Sequence, residues 1–147
     1  KSQQLKDELL QLIDADTDAF KLVMEAYNMS NKTENQIIDR TSAIDHAMKE
    51  ATNIPFKTLK CCREIMDLAL EGAQYGNPNS ISDAGVSGEM ANGGAHGAAL
   101  NVFINLKEID DVKFCTEMNK KTHLILDETN TLLIEIRKVV DKVINNG

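Results

Sequence analysis

Apolar residues recur at helical spacing along most of the chain and divide it into five amphipathic segments. Leu5, Leu9, Ile13, Phe20, Val23 and Tyr27 fall three, four or seven residues apart, which predicts a helix from about residue 2 to 29. Thr33 and Gln36 then stand at capping-box spacing. Ile37, Thr41, Ile44, Met48 and Ala51 follow as a heptad-like seam running to about Thr52. Asn53-Ile54-Pro55 is expected to end that helix, because the residue before a proline avoids the α region. A third helix is predicted from Phe56 to about Gln74, burying Leu59, Cys62, Ile65 or Met66, Ala69 and Ala73.

Gly76, Asn77 and Pro78 supply turn chemistry ahead of a fourth helix running to Asn105. Ser80 and Asp83 have the serine-first capping-box spacing, with Asp in place of the preferred Glu or Gln. That helix carries glycine at 85, 88, 93, 94 and 97, each costing roughly 1 kcal/mol against alanine. Close approach of a neighbouring helix or a ligand to the backbone is the expected compensation. Residues 107–111 connect to a last helix, with Asp110 as N-cap. Its stripe runs through Val112, Cys115, Met118, Ile125, Leu132 or Leu133, Ile136, Val139 or Val140 and Val143. The expected fold is an all-α antiparallel bundle of about five long helices in one domain.

Composition narrows the function classes. The chain has 147 residues, two prolines, no tryptophan and a formal charge of -7, which argues against a non-specific binder of nucleic acid or of an anionic membrane. No apolar run is long enough to span a bilayer. Three cysteines, two of them adjacent at 61 and 62, make a poor disulfide framework and suit a reducing, cytoplasmic setting. Core thiols are the simpler reading of that pair; a nucleophile needs a basic partner. His46, His96 and His123 share no ligand spacing, so no metal is expected. The glycines lie within a helix and not between a strand and a helix, so a phosphate loop lacks its context.

The carboxamides and acids around the glycine-rich helix are more informative. Asn77, Asn79, Ser82 and Asp83 bunch at its start, and Asn101 and Asn105 share a face near its end. The end of an antiparallel neighbour could bring the two groups together. An acid in the first turn of a helix sits at the positive end of the macrodipole and suits work as a base or charge stabiliser, though a simple cap explains the same spacing. Asp16, inside the first apolar stripe, either caps, pairs or faces a wet groove. Arg40 and Lys49, with Lys57, Lys60 and Arg63, could hold a ligand carboxylate or form a solvated face.

Gly76-Asn77, then Ser-Ile-Ser-Asp-Ala-Gly-Val at 80–86, Gly-Ala-Ala-Leu-Asn-Val-Phe-Ile-Asn-Leu at 97–106 and Ile-Asp-Asp at 109–111 resemble the cyclodeaminase and cyclohydrolase family of folate one-carbon enzymes. Asp14-Ala-Asp16-Thr-Asp-Ala-Phe20, Asp39-Arg40 and Ala51-Thr-Asn-Ile-Pro55 are similar to earlier landmarks of that family in the same order. The resemblance implies a homodimeric, all-helical domain that needs no metal or other cofactor and acts on a tetrahydrofolate adduct. It implies for Asp83 a role in stabilising the cationic amidinium and moving a proton, with Asn77, Asn101 and Asn105 orienting the substrate. The implied activity is methenyltetrahydrofolate cyclohydrolase, since the chain shows no transferase portion. Formimidoyltetrahydrofolate cyclodeaminase is the alternative, and a non-catalytic assembly subunit is the reading from another class. The family's early Pro-Ala-Pro-Gly-Gly-Gly-Ser segment has no counterpart here, so the domain is expected to be incomplete at its N-terminal end.

Overall fold

The computed structural model describes residues 1–145 and is all-helical. Four long helices follow one another: α1 (Ser2–Tyr27), α2 (Glu34–Tyr75), α3 (Ile81–Leu106) and α4 (Val112–Asn145), with a 3-10 turn at Pro78–Ser80 before α3. The bundle therefore has four long helices where the sequence pattern predicts five. The second and third predicted segments are one continuous helix, α2, with Pro55 in its interior.

Two observations explain why Pro55 does not break α2. Met48, Thr52, Pro55, Leu59, Cys62, Met66, Ala69 and Ala73 are all buried, and they alternate four and three apart, so the seam passes through the proline without losing phase. The carbonyl left without a donor by a proline is the one four residues earlier, here that of Ala51. The Asn105 side chain of α3 donates Nδ2 to that oxygen at 3.1 Å. A neighbouring helix thus supplies the hydrogen bond that the proline cannot. Replacing Asn105 by alanine is expected to cost about 1–3 kcal/mol by stranding a part-buried carbonyl. In a Pro55→Ala background, where a backbone N–H is restored, that cost should shrink toward zero. Urea denaturation of the four proteins in this cycle measures the difference, and equal costs in both backgrounds would refute the explanation.

The helix ends follow local chemistry with two departures from expectation. Thr33 and Gln36 form the predicted capping box. Ser80 stands at the N-cap of α3 but makes no side-chain cap bond. The Asn77 side chain instead accepts the backbone N–H of Asn79 at 3.0 Å and closes the 3-10 turn, which leaves Asp83 free of any capping duty. At α4 the cap is Asp111 and not Asp110, its Oδ1 accepting the N–H of Phe114 at 3.0 Å. Lys49 bridges Asp111 and Asp45, 2.8 Å from each, tying this connection to α2.

Packing accounts for three of the five α3 glycines. A Cβ on Gly88 would lie 2.9 Å from Cδ1 of Ile136, one on Gly94 would lie 3.1 Å from the Cys62 sulfur, and one on Gly85 would touch Val140 at 3.4 Å. These glycines let α4 and α2 approach the α3 backbone. A Cβ on Gly93 or Gly97 would meet nothing within 4 Å. On α4 the buried face is Met118, Thr122, Leu126, Thr129, Leu133 and Ile136, not the register through Ile125. Thr122 and Thr129 are buried because each hydroxyl donates to a carbonyl of its own helix, at 2.8 and 2.9 Å.

Candidate functional site

Both α1 and α3 pack on α2, yet they barely meet each other, so a groove floored by α2 runs between them. Three linked cavities occupy it. Near the start of α3, about 580 Å³ is lined by Lys6, Leu9, Leu68, Gly76, Asn77, Ser80, Asp83 and Ser87 among others. Leu9 also borders the middle cavity of about 540 Å³, where Asp16, Thr17, Pro55, Thr58 and Asn101 surround the backbone of Gly94 and Gly97. The far cavity, about 350 Å³, shares Asp16, Pro55 and Asn101 and adds Phe20 and Asn105. The string is mainly apolar with an acid toward each end, a lining suited to a flat organic ligand held by a few polar groups.

The predicted site residues separate into distinct places. Asp83 and Asn77 share the first cavity, and Asp83 makes no hydrogen bond or ion pair among the described residues. Asn101 lies on the same face of α3 as Asp83, but eighteen residues on, about 27 Å along the helix. One chain therefore does not bring Asp83 together with Asn101 and Asn105. Asn105 is engaged by the Ala51 carbonyl, although it borders the far cavity. Ser82 faces the opposite side of α3, lining a cleft against α4 with Glu89 and Arg137. Asn79 is exposed in the 3-10 turn.

Arg40 borders none of these cavities. Its Nη2 and Nε donate to the Tyr27 carbonyl at 2.9 and 3.2 Å, and its guanidinium lies 5.7 Å from the Tyr27 ring, pinning the end of α1. The other candidate cations are partly committed. Arg63 pairs with Asp67 and with Glu128, and Lys49 with Asp45 and Asp111. No shared carboxylate site follows from them.

Among residues the sequence pattern undervalued, Asp16 is foremost. Its place within an apolar stripe was the signal, and it borders two of the three cavities. Lys6, Thr17, Thr58 and Ser87 gave no signal, since isolated polar residues on a helix face are ordinary. The adjacent thiols are core groups. Burial, with Glu8 nearby, pushes Cys61 up to about 11, and burial also raises Cys62, so neither is poised as a thiolate. The histidines are dispersed: His96 bonds Asn130 at 3.0 Å and His123 lies against Phe103 with ring centres 4.9 Å apart.

The sequence and fold can be set beside those of known proteins. Residues 1–123 match the family described as formiminotransferase-cyclodeaminase. Over 145 residues, 99% of this chain, it is 39% identical to methenyltetrahydrofolate cyclohydrolase of Methylorubrum extorquens and covers 70% of that protein. It is 33% identical over 125 residues to formimidoyltransferase-cyclodeaminase of Gallus gallus, covering 85% of this chain but 23% of that much longer protein. The crystal structure of formiminotetrahydrofolate cyclodeaminase from Thermotoga maritima superimposes with a TM-score of 0.83 over 97% of this chain and 67% of its own, at 23% identity, showing a shared fold. Matched along most of its length in sequence, and in fold as well, the chain belongs to the formiminotransferase-cyclodeaminase family.

Proposed function

We propose that this chain is a methenyltetrahydrofolate cyclohydrolase, adding water to 5,10-methenyltetrahydrofolate to give 10-formyltetrahydrofolate, and that the α1–α3 groove holds the substrate. The 39% identity to an enzyme of that name along nearly the whole chain carries this reading, and the largely apolar, acid-bearing groove supports it. The substrate carries a cationic N–C–N carbon. Asp83, unpaired at one end of the groove, would stabilise that charge and accept a proton as water adds to the carbon. The tetrahedral adduct then opens by cleavage of the bond to N5, which takes up a proton, so one proton is released overall. Asn77, which lines the same cavity as Asp83, would orient the ligand. Three unpaired cysteines suit work in the cytoplasm.

Loss of the near-ultraviolet absorbance of methenyltetrahydrofolate on mixing with the protein is the expected result; a rate equal to that of buffer would refute the reading. The cyclodeaminase alternative is favoured by the family match itself. Release of ammonia from the 5-formimidoyl compound would move the assignment to that reaction.

A further inference from the structure

Opposite charges face the first cavity of the groove without neutralising each other. Asp83 stands on its α3 wall and Lys6 on its α1 wall, and among the described residues no ion pair or hydrogen bond joins them. The ion-pair partner of Lys6 is its sequence neighbour Asp7, at 4.0 Å, and the Lys6 side chain is 62% exposed. That hold is weak. Among the described residues Lys6 is also the only cation lining the groove, since the middle and far cavities have none and share the acid Asp16. Between Lys6 and Asp83 the wall is apolar or small, with Leu9, Leu68 and Ala84.

The helices set how far apart the two charges lie. A Cβ on Gly72 would lie 4.0 Å from that of Ala84, so the start of α3 is level with Gly72. Leu5, the neighbour of Lys6, packs with Cys61, Ile65 and Leu68, which puts Lys6 near the level of Ile65. From Ile65 to Gly72 is seven residues, about 10 Å of helix. A ligand that answers both groups must therefore carry a positive and a negative centre on a spacer.

We propose that Lys6 is a specificity-determining residue, its ammonium receiving the carboxylates at the glutamyl end of the substrate while Asp83 faces the cationic N–C–N carbon. This assignment rests on the cyclohydrolase reading. Methenyltetrahydrofolate has the required charge pattern, because a stiff benzoyl group holds the carboxylates away from the cationic ring system. The same pattern fixes its direction in the groove. The ring system lies toward the turn at Gly76 and Asn77, the benzoyl group passes along Leu9, Leu68 and Ala84, and the carboxylates stop at Lys6. Pushed deeper, they would meet Asp16 in cavities that offer no cation. Lysine suits the task, as a point charge on a flexible stem that lies along apolar surface.

The test compares methenyltetrahydrofolate with methenyltetrahydropteroate, which has the same reacting ring and no glutamate. Wild type should favour the first compound in kcat/KM, and Lys6→Gln should shrink that preference about tenfold through KM, the scale of one charge-assisted hydrogen bond. Lys6→Arg should restore it. An equal effect of Lys6→Gln on both compounds, or none on either, would overturn the assignment. A second measurement needs no turnover: p-aminobenzoylglutamate is titrated into wild type and Lys6→Gln and followed by nuclear magnetic resonance. Binding by wild type that weakens in the variant and with added salt is expected; no binding by wild type, or equal binding by both, would overturn it. A wild type that binds this fragment through Lys6 but opens neither methenyl compound would sink the cyclohydrolase reading and leave the carboxylate site standing.

Discussion

Asp83→Asn is expected to lower kcat for methenyltetrahydrofolate opening by about 100- to 10,000-fold, the range for removing a positioned general acid or base. The change is nearly isosteric, and Asp83 neither caps α3 nor pairs with a neighbour among the described residues, so urea midpoint and helical signal should stay at wild-type values. That combination separates chemistry from folding. The amide can still accept a hydrogen bond, but it supplies no charge opposite the N–C–N carbon and cannot take the proton of the attacking water. Asp16→Asn is the informative companion, because Asp16 is the other acid of the groove. Near-normal turnover by the Asp83 variant, with loss in the Asp16 variant, would transfer the chemistry to the opposite end.

Ile136→Ala should be the most damaging single truncation for stability, at about 3–4 kcal/mol. Ile136 has no exposed surface and sits in one buried cluster with Met66, Ala69, Ala91 and Leu133, where α2, α3 and α4 converge. Its tip occupies the notch left by Gly88, so truncation opens a cavity that a backbone wall cannot refill. The same notch reverses the usual sign at Gly88. Alanine ordinarily gains a helix up to about 1 kcal/mol over glycine; here its Cβ would press on the buried Ile136 Cδ1 at 2.9 Å, and a loss is expected. Denaturation with urea at constant m-value checks both. An Ile136→Ala protein within about 1 kcal/mol of wild type would mean that α3 and α4 do not interlock there.

Much of this architecture is legible in the residue pattern, and the failures have physical causes. The all-helical class, the Thr33 capping box and the glycine-rich helix follow from local spacing and chemistry. Pro55 misleads because the donor that satisfies the Ala51 carbonyl comes from Asn105, fifty residues farther on, where no local rule can look. The α4 register is hard to read because Thr122 and Thr129 hide their hydroxyls against their own helix and pass for polar surface. Glycines 85, 88 and 94 answer to neighbours in the bundle, whereas 93 and 97 do not, a distinction that composition alone cannot make. Asp83 was visible as an acid at a helix start, but its distance from Asn101 was not, since spacing says which residues share a face and not how far along it a ligand can reach.

The helix α1 has one principal neighbour. It leans on α2 through Leu5, Leu12 and Cys61 and, at its far end, through Val23 and Ala26 in a cluster with Ala47, Met48 and Ile109 of the α3–α4 connection, with few direct helix-to-helix contacts to α3 or α4. Such a mooring predicts for the first helix the lowest opening free energy of the long elements, to be read as the fastest amide exchange of the four. The groove therefore has one stiff bank and one compliant bank. A bulky guest can be admitted by a small swing of α1 while the three-helix core keeps its packing, and the guest, once seated, ties the loose bank to the rest.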